Sequence, residues 1–179
     1  MNDRKRGCLM QEITEYSYLS GIVFCFLMHD ENVLLIRREK EPYKDSITVP
    51  GGKKERGETF IDACVREMEE ETGLIVTDPQ VRGIAHIVQE GTAKEVVSVY
   101  FSARSYRGTL RESDEGSLVW APIPACFGMP GINPFFLRIG PRIVSSNDSF
   151  FASIFVNERG DIVRDAFVPS DGFRIGARP

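Results

Sequence analysis

Between residues 52 and 74 the chain reads GKKERGETFIDACVREMEEETGL, with carboxylates at Glu67, Glu70 and Glu71. On a helix advancing about 100° per residue, with Glu67 at about 0°, Glu70 falls near about 300° and Glu71 near about 40°. The three acids therefore share one arc. Ile61, Cys64, Val65 and Met68 form an apolar stripe beside it, and Asp62 and Glu69 face solvent. Like charges at these spacings repel by roughly 0.2–0.5 kcal/mol per pair. Glu70 and Glu71 also lie near the C-terminal end, where the helix dipole disfavours anions. Arg66 is the only cation within the helix. A hard divalent cation would relieve this repulsion, because Mg²⁺ takes carboxylate oxygens while keeping waters and substrate phosphates. The plainer alternative is a solvated acidic face.

Glycines precede the acids. Gly51 and Gly52, with Gly57 further on, permit a tight loop close to the carboxylates. Neither G-x-x-x-x-G-K-[ST] nor G-x-G-x-x-G occurs, so neither a P-loop nor a dinucleotide fingerprint is present.

The elements that must position these groups follow from hydrophobic periodicity. The runs Gly21–Met28 and Asn32–Arg38, joined by His29-Asp30-Glu31, predict a hairpin. Residues 39–46 are expected as a loop, and Ile47–Val49 as a short strand ending at Pro50-Gly51-Gly52. A helix is expected from about Thr59 to Thr72, with Gly73 as its left-handed cap. Val81–Gln89, Glu95–Ala103 and Leu118–Ile123 read as strands, and Arg107-Gly108 as a turn. Five prolines between Pro122 and Pro141 restrict any helix there to a short piece, Pro134–Ile139. Phe150–Asn157 and Ile162–Phe167 flank Arg159-Gly160-Asp161 as a second hairpin. Residues 1–17 and the tail from Pro169 are expected to be loose. The pattern predicts an α/β (α+β) chain: a mixed sheet with helices packed on it.

Size and charge set the outer limits. The 179 residues, 42% apolar, suit one domain spanning 1–179 with a core that needs no staples. The apolar run at 21–28 is far below the ~20 residues that cross a bilayer. The charged start lacks a signal-like apolar stretch, so a cytoplasmic location and no membrane partner are expected. A net charge of −4 disfavours stable nucleic-acid binding. Cys8, Cys25, Cys64 and Cys126 form no C-x-x-C pair, which reads as reduced thiols rather than a zinc site.

The segment Gly52–Leu74 resembles the signature of the Nudix hydrolase superfamily at every defined position. These are Gly52, Glu58, Arg66, Glu67, Met68, Glu70, Glu71, Gly73 and Leu74. The resemblance covers 23 of the 179 residues. It implies a Nudix-type α/β/α sandwich around a mixed β-sheet. It also implies that Glu67, Glu70 and Glu71 bind Mg²⁺ or Mn²⁺, one of them serving as general base. Arg66 would orient Glu67, Glu58 would be a supporting acid, and Gly51 would offer its carbonyl to a metal. Gly52, Gly57 and Gly73 would be loop and cap residues. The implied reaction is hydrolysis of a nucleoside diphosphate linked to another moiety.

A second stretch, Glu112-Ser113-Asp114-Glu115 followed by Trp120-Ala121-Pro122, resembles the segment after that signature in MutT-like oxidised-purine nucleoside triphosphate diphosphatases. The match implies that Glu115 is a further metal ligand. An ordinary polar turn is the alternative. The terminal hairpin 150–167 is similar to that subgroup's last strands. By the same resemblance Phe127 would stack on a base and Asn133 would read its edge, although the acidic pair of oxidised-purine readers is absent here. Arg37, Arg38 or Lys44 would clamp substrate phosphates, and only one of Arg37 and Arg38 can face the site. Trp120 reads as a packed strand residue. The expected enzyme is a Mg²⁺-dependent diphosphatase cutting a nucleoside triphosphate, such as 8-oxo-dGTP or another non-standard one, to monophosphate and pyrophosphate. Hydrolysis of ADP-ribose or a dinucleotide is the alternative, as is a non-catalytic nucleotide sensor. The expected partner is a small nucleotide, with the chain a monomer or homodimer.

Overall fold

In the computed structural model, which describes residues 20–170 apart from 42 and 93, the first apolar run forms β1 (Ser20–His29). The chain turns through Asp30, at φ 51°, into β2 (Asn32–Arg38). The two strands pair at Met28–Val33 and His29–Asn32 and then diverge. β2 continues antiparallel to β8 (Gly116–Pro122) and β3 (Ile47–Thr48), whereas β1 runs parallel to β6 (Glu95–Ala103). The edge of β1 that β2 leaves is filled by residues 50–54. Val23 N–H donates to the Gly52 carbonyl (2.8 Å), Cys25 N–H to the Pro50 carbonyl (2.9 Å), and Lys54 N–H to the Gly21 carbonyl (2.9 Å). The glycine loop is thereby fixed onto the sheet.

Beyond β6 lies β5 (Gln80–Gln89), antiparallel to β6 and parallel to β9 (Phe150–Val156), which pairs antiparallel with β10 (Ile162–Pro169). The sheet order is β10-β9-β5-β6-β1-β2-β3, with β8 on β2. A separate ribbon joins β4 (Leu74–Val76) to β7 (Tyr106–Gly108).

Successive β1 side chains face opposite ways and so serve two cores. Val23, Cys25 and Leu27 pack with Ala63, Cys64 and Met68 of α1 (Phe60–Thr72). Phe26 and Met28 pack with Phe136, Ile139 and Ile143 of α3 (Pro134–Ser145) on the other face. A short α2 (Ile123–Cys126) follows β8. Helices on both faces of a mixed sheet make the α/β/α sandwich the resemblance implied. Among the described residues no helix is long and apolar enough to cross a membrane.

Several expectations need correction. α3 runs to Ser145, through Pro141, rather than ending at Ile139. Burial of its apolar face outweighs the backbone bond a proline removes. Arg107 and Gly108 belong to β7, paired with Ile75 and Leu74; strands this short carry too little periodicity to read. The third strand stops at Thr48, and Pro169 ends β10. The arm 1–17, Cys8 and residues 171–179 lie outside the described residues. Cys25, Cys64 and Cys126 are buried free thiols. Trp120 packs beside Tyr106 and His29, with ring centroids 6.2 and 5.9 Å away.

Candidate active site

α1 begins where Thr59 and Asp62 form a reciprocal capping box and ends at Gly73, at φ 72°, whose N–H donates to the Glu69 carbonyl. These stops fix the phase of the helix, and hence which acids meet the glycine loop. Arg66 organises them. Its Nε and Nη2 grip Glu58 Oε2 and Oε1 at 3.1 and 2.8 Å. Nη1 donates to Glu67 Oε1 at 2.9 Å and Glu70 Oε2 at 3.0 Å, and Nη2 also reaches the Lys53 carbonyl at 3.0 Å. The guanidinium, aided by the Glu55 N–H, draws the Glu58 carboxyl down to about 2. Glu67 moves the other way, because burial outweighs its bond to Arg66.

Glu71 is the unusual member. It is 4% exposed, and its Oε2 accepts from the Gly51 N–H at 2.8 Å. Burial pushes its carboxyl up to about 7. The Gly51 bond opposes this, Glu67 adds to it, Arg38 opposes and Glu115 adds. Glu67 and Glu71 therefore do not point out to solvent, as the helical projection taken alone suggests; of the three acids only Glu70 is well exposed, at 60% of its side chain. At about 40° on the wheel Glu71 adjoins Cys64, and the glycine loop covers that flank. Gly51 lies so close to β1 that a Cβ there would come 2.8 Å from Phe24 Cα. A Cβ on Gly52 would fall on the Glu67 carboxylate. The Pro50 and Gly52 carbonyls are committed to β1; among the described residues no backbone donor takes the Gly51 carbonyl.

The facing wall comes from the segment before β8. Glu115 Oε1 accepts from Lys40 Nζ at 2.7 Å, and its Oε2 lies 3.7 Å from Arg38 Nη2. Lys40 also holds Asp114 at 2.8 Å. Arg38 and Glu115 both act electrostatically on Glu71, which brings the two walls together. The Arg38 Nε is buried with no partner among the described residues. Of the two adjacent arginines Arg38 thus faces the site, while Arg37 turns toward the Asp45 carbonyl at 3.3 Å. Sequence reasoning missed Lys40. Its spacing of two from Arg38 was the available signal, since an extended chain puts both on one side.

Other expected contacts stand elsewhere. Lys44 is exposed on the loop after β2, between Tyr43 and Asp45, which have positive φ. Phe127 stacks on Phe136 at 5.1 Å and fills the space beside Gly140. Asn133 is 8% exposed and caps α3 by accepting from Phe135 N–H at 2.9 Å. Its N–H donates to the Ile47 carbonyl. Packing engages the Phe127 ring and helix capping engages the Asn133 side-chain oxygen.

The donor set of Glu67, Glu70, Glu71, Glu115 and the Gly51 carbonyl is all oxygen, which suits a hard cation. Among the described residues no three such side chains form a ready cation cage. Arg66 and Lys40 neutralise the carboxylates instead. Mg²⁺ needs no full cage, because waters and phosphates complete its shell. The buried Glu71 carboxylate beside an uncommitted carbonyl fits such an ion.

Comparison with known proteins gives the same frame. The NUDIX domain family matches residues 20–128. The uncharacterized Nudix hydrolase YvcI of Bacillus subtilis is 35% identical over 118 residues, 64% of this chain and 73% of the relative. An ADP-ribose pyrophosphatase of Methanocaldococcus jannaschii is 36% identical over 86 residues, 48% of this chain and 51% of the relative. The crystal structure of a MutT protein from Bacillus halodurans superposes with a TM-score of 0.76 at 25% identity, covering 83% of this chain and 97% of that one.

Proposed function

Because this chain belongs to the NUDIX domain family, we propose that it is a hydrolase of pyrophosphate bonds whose substrate is a nucleoside triphosphate, cut to monophosphate and pyrophosphate. The observation that carries this reading is Glu71, a carboxylate buried against the Gly51 N–H, with Glu67 beside it and Glu115 facing it. Glu67, Glu70, Glu71, Glu115 and the Gly51 carbonyl would hold Mg²⁺ or Mn²⁺. The ion would neutralise the phosphate oxygens and lower the pKa of a water. Arg66 fixes the rotamers of Glu67 and Glu70 while Glu58 fixes Arg66. Arg38, with its free Nε, and Lys40 supply positive charge for the phosphates. Water attacks phosphorus, a P–O anhydride bond breaks, pyrophosphate leaves, and the proton passes to one of the signature glutamates.

The resemblance of residues 112–122 to MutT-like nucleoside triphosphate diphosphatases supports the triphosphate. The ADP-ribose pyrophosphatase supports a second reading, a nucleoside diphosphate joined to a sugar. The test offers the purified protein, with Mg²⁺, normal and oxidised nucleoside triphosphates, ADP-ribose and dinucleotides, and resolves products by chromatography. Monophosphate and pyrophosphate from triphosphates are expected. Cleavage confined to ADP-ribose or a dinucleotide would select the second reading. Saturable binding without cleavage would make the chain a sensor.

A further inference from the structure

Away from the candidate active site, a groove of about 390 Å³ lies between the C-terminal end of α3 and the sheet end where β1 finishes and β5 begins. Met28, Ser102, Arg104 and Asn147 contribute to its lining, and so does Arg82. It opens on the α3 face, five residues along β1 from the Val23 that touches the glycine loop. That is roughly 16 Å at the rise of a strand.

Arg82 occupies a β-bulge. Val81 pairs with Phe101 and Gly83 with Tyr100, leaving Arg82 as the extra residue between them. Bulges re-aim a side chain, and the residue this one carries, Arg82, is 7% exposed. It donates to Asn147 Oδ1 at 3.0 Å and to the Ser146 carbonyl, both neutral acceptors. Its Nε has no partner among the described residues. Burial depresses its pKa, Asp148 counters, and the charge of Arg104 adds to the depression. Arg104 is exposed and meets the Met28 sulfur at 4.0 Å. Two carboxylates stand near, and one of them, Asp78, is part of the groove's lining. Asp78 accepts from Ser105 N–H and Asp148 from the Ser146 hydroxyl, and neither forms an ion pair with an arginine among the described residues.

A buried cation with no carboxylate in direct ion-pair contact is costly. Two guanidiniums on one groove, beside an asparagine whose oxygen is taken by Arg82 and whose amide N–H groups remain to donate, match an anion with several acceptor oxygens. We propose that this groove binds a phosphate-type oxyanion, inorganic phosphate or the phosphate of a monoester, between Arg82 and Arg104. The site is independent of the catalytic reading.

The test is calorimetric titration of inorganic phosphate into the full chain, in EDTA and at constant ionic strength. Wild type, Arg104→Gln, Arg82→Lys and Arg159→Gln, an exposed change on the hairpin between β9 and β10, are compared. Loss of one guanidinium contact should weaken binding at least about tenfold in Arg104→Gln. Arg82→Lys, which keeps charge but not the fork, should weaken it as well, and Arg159→Gln should match wild type. If Arg82→Lys fails to fold, Arg104→Gln, an exposed change, decides. Ribose 5-phosphate competing with the same dependence on Arg104 assigns a monoester, whereas phosphate binding without that competition assigns the free ion. Equal affinity in wild type and Arg104→Gln, an equal loss in Arg159→Gln, or no saturation up to roughly 10 mM would each overturn the proposal.

Discussion

Replacing Glu71 by glutamine should stabilise the metal-free protein while abolishing its chemistry. The Glu71 carboxyl sits at about 7 when folded, against 4.5 for an ordinary glutamate, because burial penalises its charge. A carboxyl whose folded pKa is raised takes up a proton on folding between those two values. Stability therefore rises as pH falls from about 7 toward 4.5 and is lowest above 7. At 1.36 kcal/mol per pH unit the full gap is worth about 3 kcal/mol. A glutamine side chain at this position has no charge to bury, and its amide oxygen can still accept the Gly51 N–H. The comparison is urea unfolding of wild type and Glu71→Gln in EDTA from pH 5 to pH 8.5. The variant should gain about 3 kcal/mol over wild type at pH 8.5, and the difference should shrink below about 1 kcal/mol at pH 5. Excess Mg²⁺ should restore wild type at high pH and leave the variant unchanged. Parallel pH curves, or a variant weaker at pH 8.5, would refute the reasoning that Glu71 is a desolvated anion awaiting a cation.

Gly52→Ala would drive a Cβ into the Glu67 carboxylate. Turnover should fall by about 10²-fold or more with the fold kept by circular dichroism, and an unchanged kcat would contradict the close approach. Gly73→Ala puts a side chain at φ 72°, 2.6 Å from Arg111 Cγ and the Thr109 carbonyl. It should cost about 1–2 kcal/mol or more in urea unfolding, and wild-type stability would be the opposing result. Asn133→Ala should lose about 1 kcal/mol with the cap of α3. The order of preferred substrates should not change; a changed base preference would return Asn133 to the nucleobase.

The sequence carries α1 almost to the residue, because Thr59, Asp62 and Gly73 mark its ends by local chemistry. It carries the long strands because their alternation is strong. It does not carry the inward turn of Glu71, since a helical wheel shows an arc but not the loop that covers it. The alignment of Arg38, Lys40 and Glu115 is likewise tertiary, depending on β8 pairing with β2. Phe127 and Asn133 were ambiguous for the reverse reason. An aromatic ring and an amide suit a base, a core or a cap equally well until their neighbours are known. The bulge at Arg82 leaves no mark in a pattern of apolar positions.

The central claim is that the signature glutamates and the glycine loop form one divalent-cation site. Titration of Mn²⁺ into wild type, Glu67→Gln and Glu71→Gln, followed by the electron paramagnetic resonance of the free ion, tests it most directly. Saturable binding by wild type, weakened at least about tenfold by each substitution, is the predicted result. Three superimposable titrations would contradict it.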